Sequence, residues 1–166
     1  VINTCDYNQN KAATIAMPDY DGAVYLRFGR PKVANFTPAD HTFEIGKALH
    51  LTEGNDVTII ATGHLVWEAL EAAKALNEKG ISAEVINIHT IKPLDEEAIL
   101  KSVRKTKCVV TAEEHNFLGG LGESVARTLA LNHPAPQEFV ATQDTFGESG
   151  EPHMLMDKYG LNAKAI

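Results

Sequence analysis

Four places along the chain carry residue types that can do chemistry. The first is Gly119-Gly120-Leu121-Gly122, directly ahead of an apolar pattern with helical spacing. Backbone N–H groups at a helix start, aligned with the helix dipole, favour an anion. Yet Val125 stands where GxGxxG needs its third glycine, and no Gly-Lys-Ser/Thr follows, so neither a dinucleotide fingerprint nor a Walker loop is written here. Two readings stay open, a tight turn with close helix packing and an anion cradle. The second place is Glu113-Glu114-His115, which should lie just past a buried strand. Two carboxylates and an imidazole can exchange protons with a substrate. Neighbours on an extended chain point opposite ways, so at most one of these glutamates shares a side with His115. No HExxH or other metal-ligand spacing is present. Their roles stay open between a hydrogen-bonded loop and direct function. The third is His64, which opens a helix, where its positive form is disfavoured; it reads as structural. The fourth is the pair Arg27 and Arg30, three apart around a strand end. Their planar forks suit a phosphate or carboxylate, and equally a surface salt bridge.

The elements that must position these residues follow from periodicity. Asp56–Thr62 is a mostly apolar run of the kind buried on both faces of a sheet. A helix over 64–79 follows, with Val66, Ala69, Leu70, Ala73 and Leu76 at spacings of three and four, and Gly80 suits its end. Strands are expected over 83–88, 107–111 and 138–142, with helices from Asp95, from Leu121 and after Gly150. The spacing is that of βαβ units. It predicts a three-layer α/β domain with a mainly parallel sheet of about five strands and helices on both faces. In such sheets function gathers at the carboxyl ends of the strands, which is where His64 and Glu113–His115 fall. Phe43–Leu49 reads equally as strand or helix. Ahead of it, Tyr7–Ala16 predicts a helix capped by Asp6 and stopped at Pro18, and Val24–Phe28 alternates like a strand. One helix and one strand do not make a domain, so residues 1–30 read as the tail of an α/β unit, 31–42 as a linker and 43–166 as the main domain. Val1 opens in mid-pattern without an initiating Met, as if the chain belonged to something longer.

The chain has 166 residues with 22 Asp+Glu against 15 Lys+Arg, a formal net charge of −7. An acidic chain is a poor binder of phosphate backbones, which argues against nucleic acid as a partner. No apolar run approaches the ~20 residues of a membrane span. Cys5 and Cys108 are far apart and form no CxxC, which argues against structural zinc or a disulfide framework and suits a reducing compartment.

Several motifs, in order, resemble those of transketolases. Val24-Tyr25-Leu26-Arg27-Phe28-Gly29-Arg30-Pro31 looks like the end of the family's pyrimidine-binding domain. Asp56–Gly63, Ile91-Lys92-Pro93-Leu94-Asp95, Ala112-Glu113-Glu114-His115 with its glycine turn, Thr145–Gly150 and Tyr159-Gly160-Leu161 are similar to its C-terminal domain. The resemblance covers essentially the whole chain and is closest to the separately encoded C-terminal half of split bacterial transketolases. It implies a cytoplasmic transferase of the pentose phosphate pathway that moves a two-carbon ketol unit between sugar phosphates. Thiamine diphosphate and a divalent metal such as Mg sit, in that family, between domains of two protomers. The glutamate that activates the cofactor belongs upstream of Val1, and the Gly-Asp-Gly…Asn metal–diphosphate motif is absent. The resemblance therefore implies no catalytic, cofactor or metal residue in this chain, which should be inactive alone. Arg30, in Gly-Arg-Pro, matches the arginine that grips the sugar phosphate, and Arg27 a neighbouring one. The implied partners are a second copy, through homodimer contacts, and an N-terminal part carrying the diphosphate-binding domain. Alternatives are the β-subunit of a 2-oxo acid dehydrogenase, deoxyxylulose-phosphate synthase, and a non-enzymatic regulatory or assembly domain.

Overall fold

The structure, a computed structural model, describes residues 1–166. The chain opens with a two-residue strand, β1 (Ile2–Asn3), and helix α1 (Tyr7–Ala16). Asp6 caps α1, accepting a hydrogen bond from the Gln9 N–H at 2.8 Å. A 3-10 turn at Met17–Asp19, holding Pro18, ends the helix, since proline cannot supply the next N–H. Strand β2 (Leu26–Arg27) then pairs in parallel with β1. The alternation expected over Val24–Phe28 shortens to these two residues because the only strand beside it is β1, itself two residues long. The reading of residues 1–30 as one helix and one strand is corrected by a second strand, β1, and the small pair it makes. Two residues of β1 carry no periodicity to read.

From Leu49 the elements alternate: β3 (Leu49–Thr52), β4 (Val57–Ala61), α2 (Leu65–Asn77), β5 (Ala83–Asn87), α3 (Glu96–Thr106), β6 (Val109–Asn116), α4 (Leu121–Asn132), β7 (Gln137–Thr142) and α5 (Pro152–Lys158). The sheet order is β3-β5-β4-β6-β7, parallel except for the antiparallel edge strand β3. The α/β class and the mainly parallel five-stranded sheet are as the sequence predicts. The segment 43–49 is irregular until β3 begins at Leu49. Strand β6 runs through Asn116, so Glu113, Glu114 and His115 lie within the strand and not past it. Pairing of Asn116 with Thr142 of β7 extends it, across a register irregularity after Ala112.

Each sheet face has its own core. Ile59, Ala61, Val85 and Ala112 face α2, whose Leu65, Val66, Ala69, Ala72 and Ala73 are buried. The small alanines let the helix lie close to the sheet. On the other face Ile60, Ile86 and Ile88 meet Ile99 and Val103 of α3 and Leu121, Val125 and Leu129 of α4. Each fully buried aliphatic side chain contributes about 1.5–3 kcal/mol by leaving water. No helix is long and apolar enough to cross a membrane.

A third, small cluster of Ile2, Ala13 and Phe43 joins the first residues to the segment after the 31–42 stretch. His89, at the end of β5, stacks on Phe43 with ring centroids 4.1 Å apart and is 2% exposed. Burial pushes its pKa down to about 4, nearby His41 pushes the same way, and Asp95 opposes. An unfolded histidine titrates near 6.5, so as pH falls the unfolded chain takes up the proton first. The stability held by neutral His89 is complete above about pH 6.5 and is lost as pH falls toward 4. Between pH 7 and pH 5 the expected loss is about 2 kcal/mol. Urea midpoints at the two pH values should show it, and His89→Gln should remove that part of the slope. An unchanged slope in His89→Gln would mean that other groups set the acid sensitivity.

Candidate functional site

In the sheet, β4 leads to β5 on one side and the chain then returns to β6 on the other. The carboxyl ends of β4 and β6 therefore flank the point where the winding reverses, the place where sheets of this kind bind ligands. Here that crevice receives the chain's own N-terminal segment. Gly63, after β4, has φ +57°, and a Cβ there would come within 2.7 Å of the Asn3 side chain. Asn3 in turn donates from Nδ2 to Thr62 Oγ1 at 3.2 Å. Gly29 packs against the ring of His64 so closely that a Cβ would lie 2.0 Å from Nε2. His64 Nδ1 pairs with Glu114 Oε2 at 2.8 Å, tying the end of β4 to β6.

A cleft of about 280 Å³ remains, lined by Asn3, Arg27, Gly29, Gly63, His64 and Glu114 among others. Arg27 is half-buried beside it, while Arg30 is exposed just beyond, next to Pro31. Neither arginine takes part in any ion pair of the chain, which removes the surface salt bridge as an account of them. His64 and Glu114 also form one wall of a larger groove of about 990 Å³, where His115 is exposed and Trp67, Met156 and Tyr159 supply apolar surface.

Glu113 does something different from its neighbour. It turns to the other face of the sheet, is 3% exposed, and accepts from the Leu121 and Gly122 N–H groups, each at 2.8 Å. The two readings of the glycine turn thus merge: the anion at the start of α4 is the chain's own carboxylate. Glycine at 120 is required, because a Cβ there would lie 2.4 Å from that carboxylate. Gly122 is required by packing, a Cβ falling 2.4 Å from the Phe139 ring. Gly119, at φ +75°, makes the turn itself.

No three His, Cys, Asp or Glu side chains converge in a way that could hold a metal ion. Burial pushes the Cys5 thiol pKa far up, and its sulfur accepts from Asn87 Nδ2 at 3.3 Å, so it is no nucleophile. The His64–Glu114 pair and the seat of Gly29 on His64 escaped the sequence reading. Residues 29, 64 and 114 are joined by no periodicity or motif spacing, so only the folded chain reveals them together.

Residues 46–166 match the family described as transketolase, C-terminal domain. The chain belongs to the transketolase C-terminal domain family. All 166 of its residues align at 46% identity with 52% of a 6-deoxy-6-sulfo-D-fructose transketolase subunit, SqwH, of Clostridium sp. (strain MSTE9). Over 97% of the chain it is 38% identical to 26% of 1-deoxy-D-xylulose-5-phosphate synthase 1 of Geobacter sulfurreducens. A solved structure described as a split gene transketolase, inactive β4 tetramer, superposes with a TM-score of 0.96 at 43% identity, covering 99% of this chain and 54% of that one. The chain thus spans about half the length of the transketolase subunits it matches. Within this transketolase domain, Glu113 and the glycine turn build the helix start, and His64 and Glu114 close the switch-point crevice.

Proposed function

We propose that this chain is the C-terminal portion of a thiamine-diphosphate-dependent transketolase, which transfers a two-carbon ketol unit from a ketose phosphate to an aldose phosphate. The observation that carries the reading is the alignment of the whole chain with a transketolase subunit at 46% identity. On this reading residues 1–30 are the tail of the pyrimidine-binding domain, 31–42 a linker and 43–166 the C-terminal domain. Arg30 grips the terminal phosphate of the sugar, with Arg27 beside it. Both guanidinium groups lack internal anionic partners, which leaves their forks available to a ligand. The domain also supplies contacts to a second copy and to an N-terminal part. In support, the chain exposes 9215 Å², where a compact monomer of this mass exposes about 8,000 Å². Phe28, Tyr25, Leu131 and Phe146 contribute to that exposed area.

At the glycine-rich start of α4 the residues present do not fit the cofactor. A diphosphate needs free N–H donors, and those at the glycine-rich start of α4 are taken by Glu113, whose charge repels a second anion. We therefore assign the cofactor and its metal to other parts of the assembled enzyme. Titration calorimetry with thiamine diphosphate and Mg should give no binding heat for this chain alone. The assembly with the partner that carries the diphosphate-binding domain should bind the cofactor and transfer ketol units. Micromolar binding to the chain alone would overturn the assignment. The 38% identity to a deoxyxylulose-phosphate synthase keeps one second reading in view. Formation of 1-deoxy-D-xylulose 5-phosphate by the assembly, in place of ketol transfer, would favour it.

A further inference from the structure

The backbone from Phe28 to Pro31 makes no backbone hydrogen bond to the rest of the chain. Arg30 has no side-chain partner either. The imidazole of His64 packs against Gly29 of this turn. A Cβ on Gly29 would lie 2.0 Å from Nε2 and 2.1 Å from Cε1, so the ring rests directly on the Gly29 backbone. The ring is held beside this contact: Nδ1, next to Cε1, lies 2.8 Å from Glu114 Oε2, and the His64 side chain is only 13% exposed. Glu114 thus lies against the same ring that meets Gly29. His64 stands at the N-cap of α2 and Glu114 within β6, so both ends of the pair rest on regular elements of the sheet domain. Arg30 is the next residue after Gly29.

From this geometry we infer that His64 and Glu114 are positioning residues: they set the Gly29–Arg30 turn, and through it the affinity for the substrate phosphate. The inference rests on the proposed role of Arg30. It gives the C-terminal domain a part in substrate binding, beyond its contacts with other subunits. Misplacement of a contact by about 1 Å can cost up to about 100-fold, so loss of the prop should be felt mainly as weaker binding.

The test uses the full-length subunit assembled with its cofactor-bearing partner. The donor is hydroxypyruvate, and the matched acceptors are glyceraldehyde 3-phosphate and glyceraldehyde. His64→Ala should raise KM for the phosphorylated acceptor roughly 10-fold with little change in kcat, and should affect glyceraldehyde far less. Glu114→Ala should act in the same direction more weakly, and Glu114→Gln, which keeps an acceptor oxygen, should retain most of the affinity. Gly29 has no positive φ, so Gly29→Ala introduces a clash with the ring without backbone strain. It too should raise KM selectively. The double variant His64→Ala/Gly29→Ala should be less impaired than the sum of the two, because removing the ring removes the clash. The amide NMR signals of Gly29 and Arg30, which sense the ring of His64, should shift in His64→Ala, and this readout serves if activity cannot be measured. Arg30→Ala separates the layers. If it weakens only the phosphorylated acceptor while His64→Ala and Gly29→Ala do nothing selective, the positioning role is overturned and the arginine reading stands. If Arg30→Ala affects both acceptors equally, the arginine reading itself falls.

Discussion

Glu113→Ala should destabilise the fold by about 3–5 kcal/mol, because it removes an ionised acceptor from two buried N–H groups, each such bond being worth about 1.5–3 kcal/mol. The Leu121 and Gly122 donors would then lie at a helix start with no partner. The helix dipole adds to the loss, since a negative charge at that end is stabilising. The change is large against the total stability of a domain, about 5–15 kcal/mol. For a chain of this length it corresponds to a fall in Tm of about 6–20 °C. Urea unfolding followed by circular dichroism would measure it. Glu113→Gln should cost less, since one amide oxygen still accepts while the NH₂ faces the second donor. Gly120→Ala should also destabilise, by pushing a methyl group into the carboxylate. A loss below about 1 kcal/mol for Glu113→Ala, the range of a surface change, would mean that water replaces the carboxylate at no cost. The glutamate would then not be what organises the turn.

Arg30→Ala, in the assembled enzyme, should lower kcat/KM for phosphorylated sugars by roughly 10- to 150-fold, the equivalent of one charge-assisted contact. On the proposed reading the phosphate is far from the reacting carbonyl, so the contact would act as binding and positioning energy. Turnover of hydroxypyruvate with an unphosphorylated acceptor should fall far less. Arg30→Lys should recover only part of the loss, since a point charge does not reproduce the two parallel N–H donors of the guanidinium. Arg27→Ala, on a residue that lines the cleft beside His64, should give a smaller effect of the same kind. Equal losses on phosphorylated and unphosphorylated substrates would assign Arg30 to the fold instead of the ligand.

The α/β class, α1 with its Asp6 cap, α2 through α4 and the four parallel strands were legible in the order of residues, because each depends on local periodicity. Ile59 and Ile60 point to opposite faces by strand geometry alone, and Val66, Ala69 and Ala73 align by helix geometry alone. The family, too, was legible, since its motifs are local runs. What the sequence did not contain was any sign of who meets whom across long separations. Strand β1 is two residues that exist as a strand only through Leu26 and Arg27. Edge strand β3 owes its place to pairing with β5. Glu113 and Glu114 are chemically identical neighbours. Strand geometry turns one to the start of α4 and the other to His64, and the choice between capping and pairing came from what the fold had set on each face. The same is true of Gly29, whose missing side chain had no evident reason until the ring of His64 was found resting on it. Local energetics write the elements, but the contact of Gly29 with His64 is made between segments brought together by burial of the two cores, and that is a property of the folded chain.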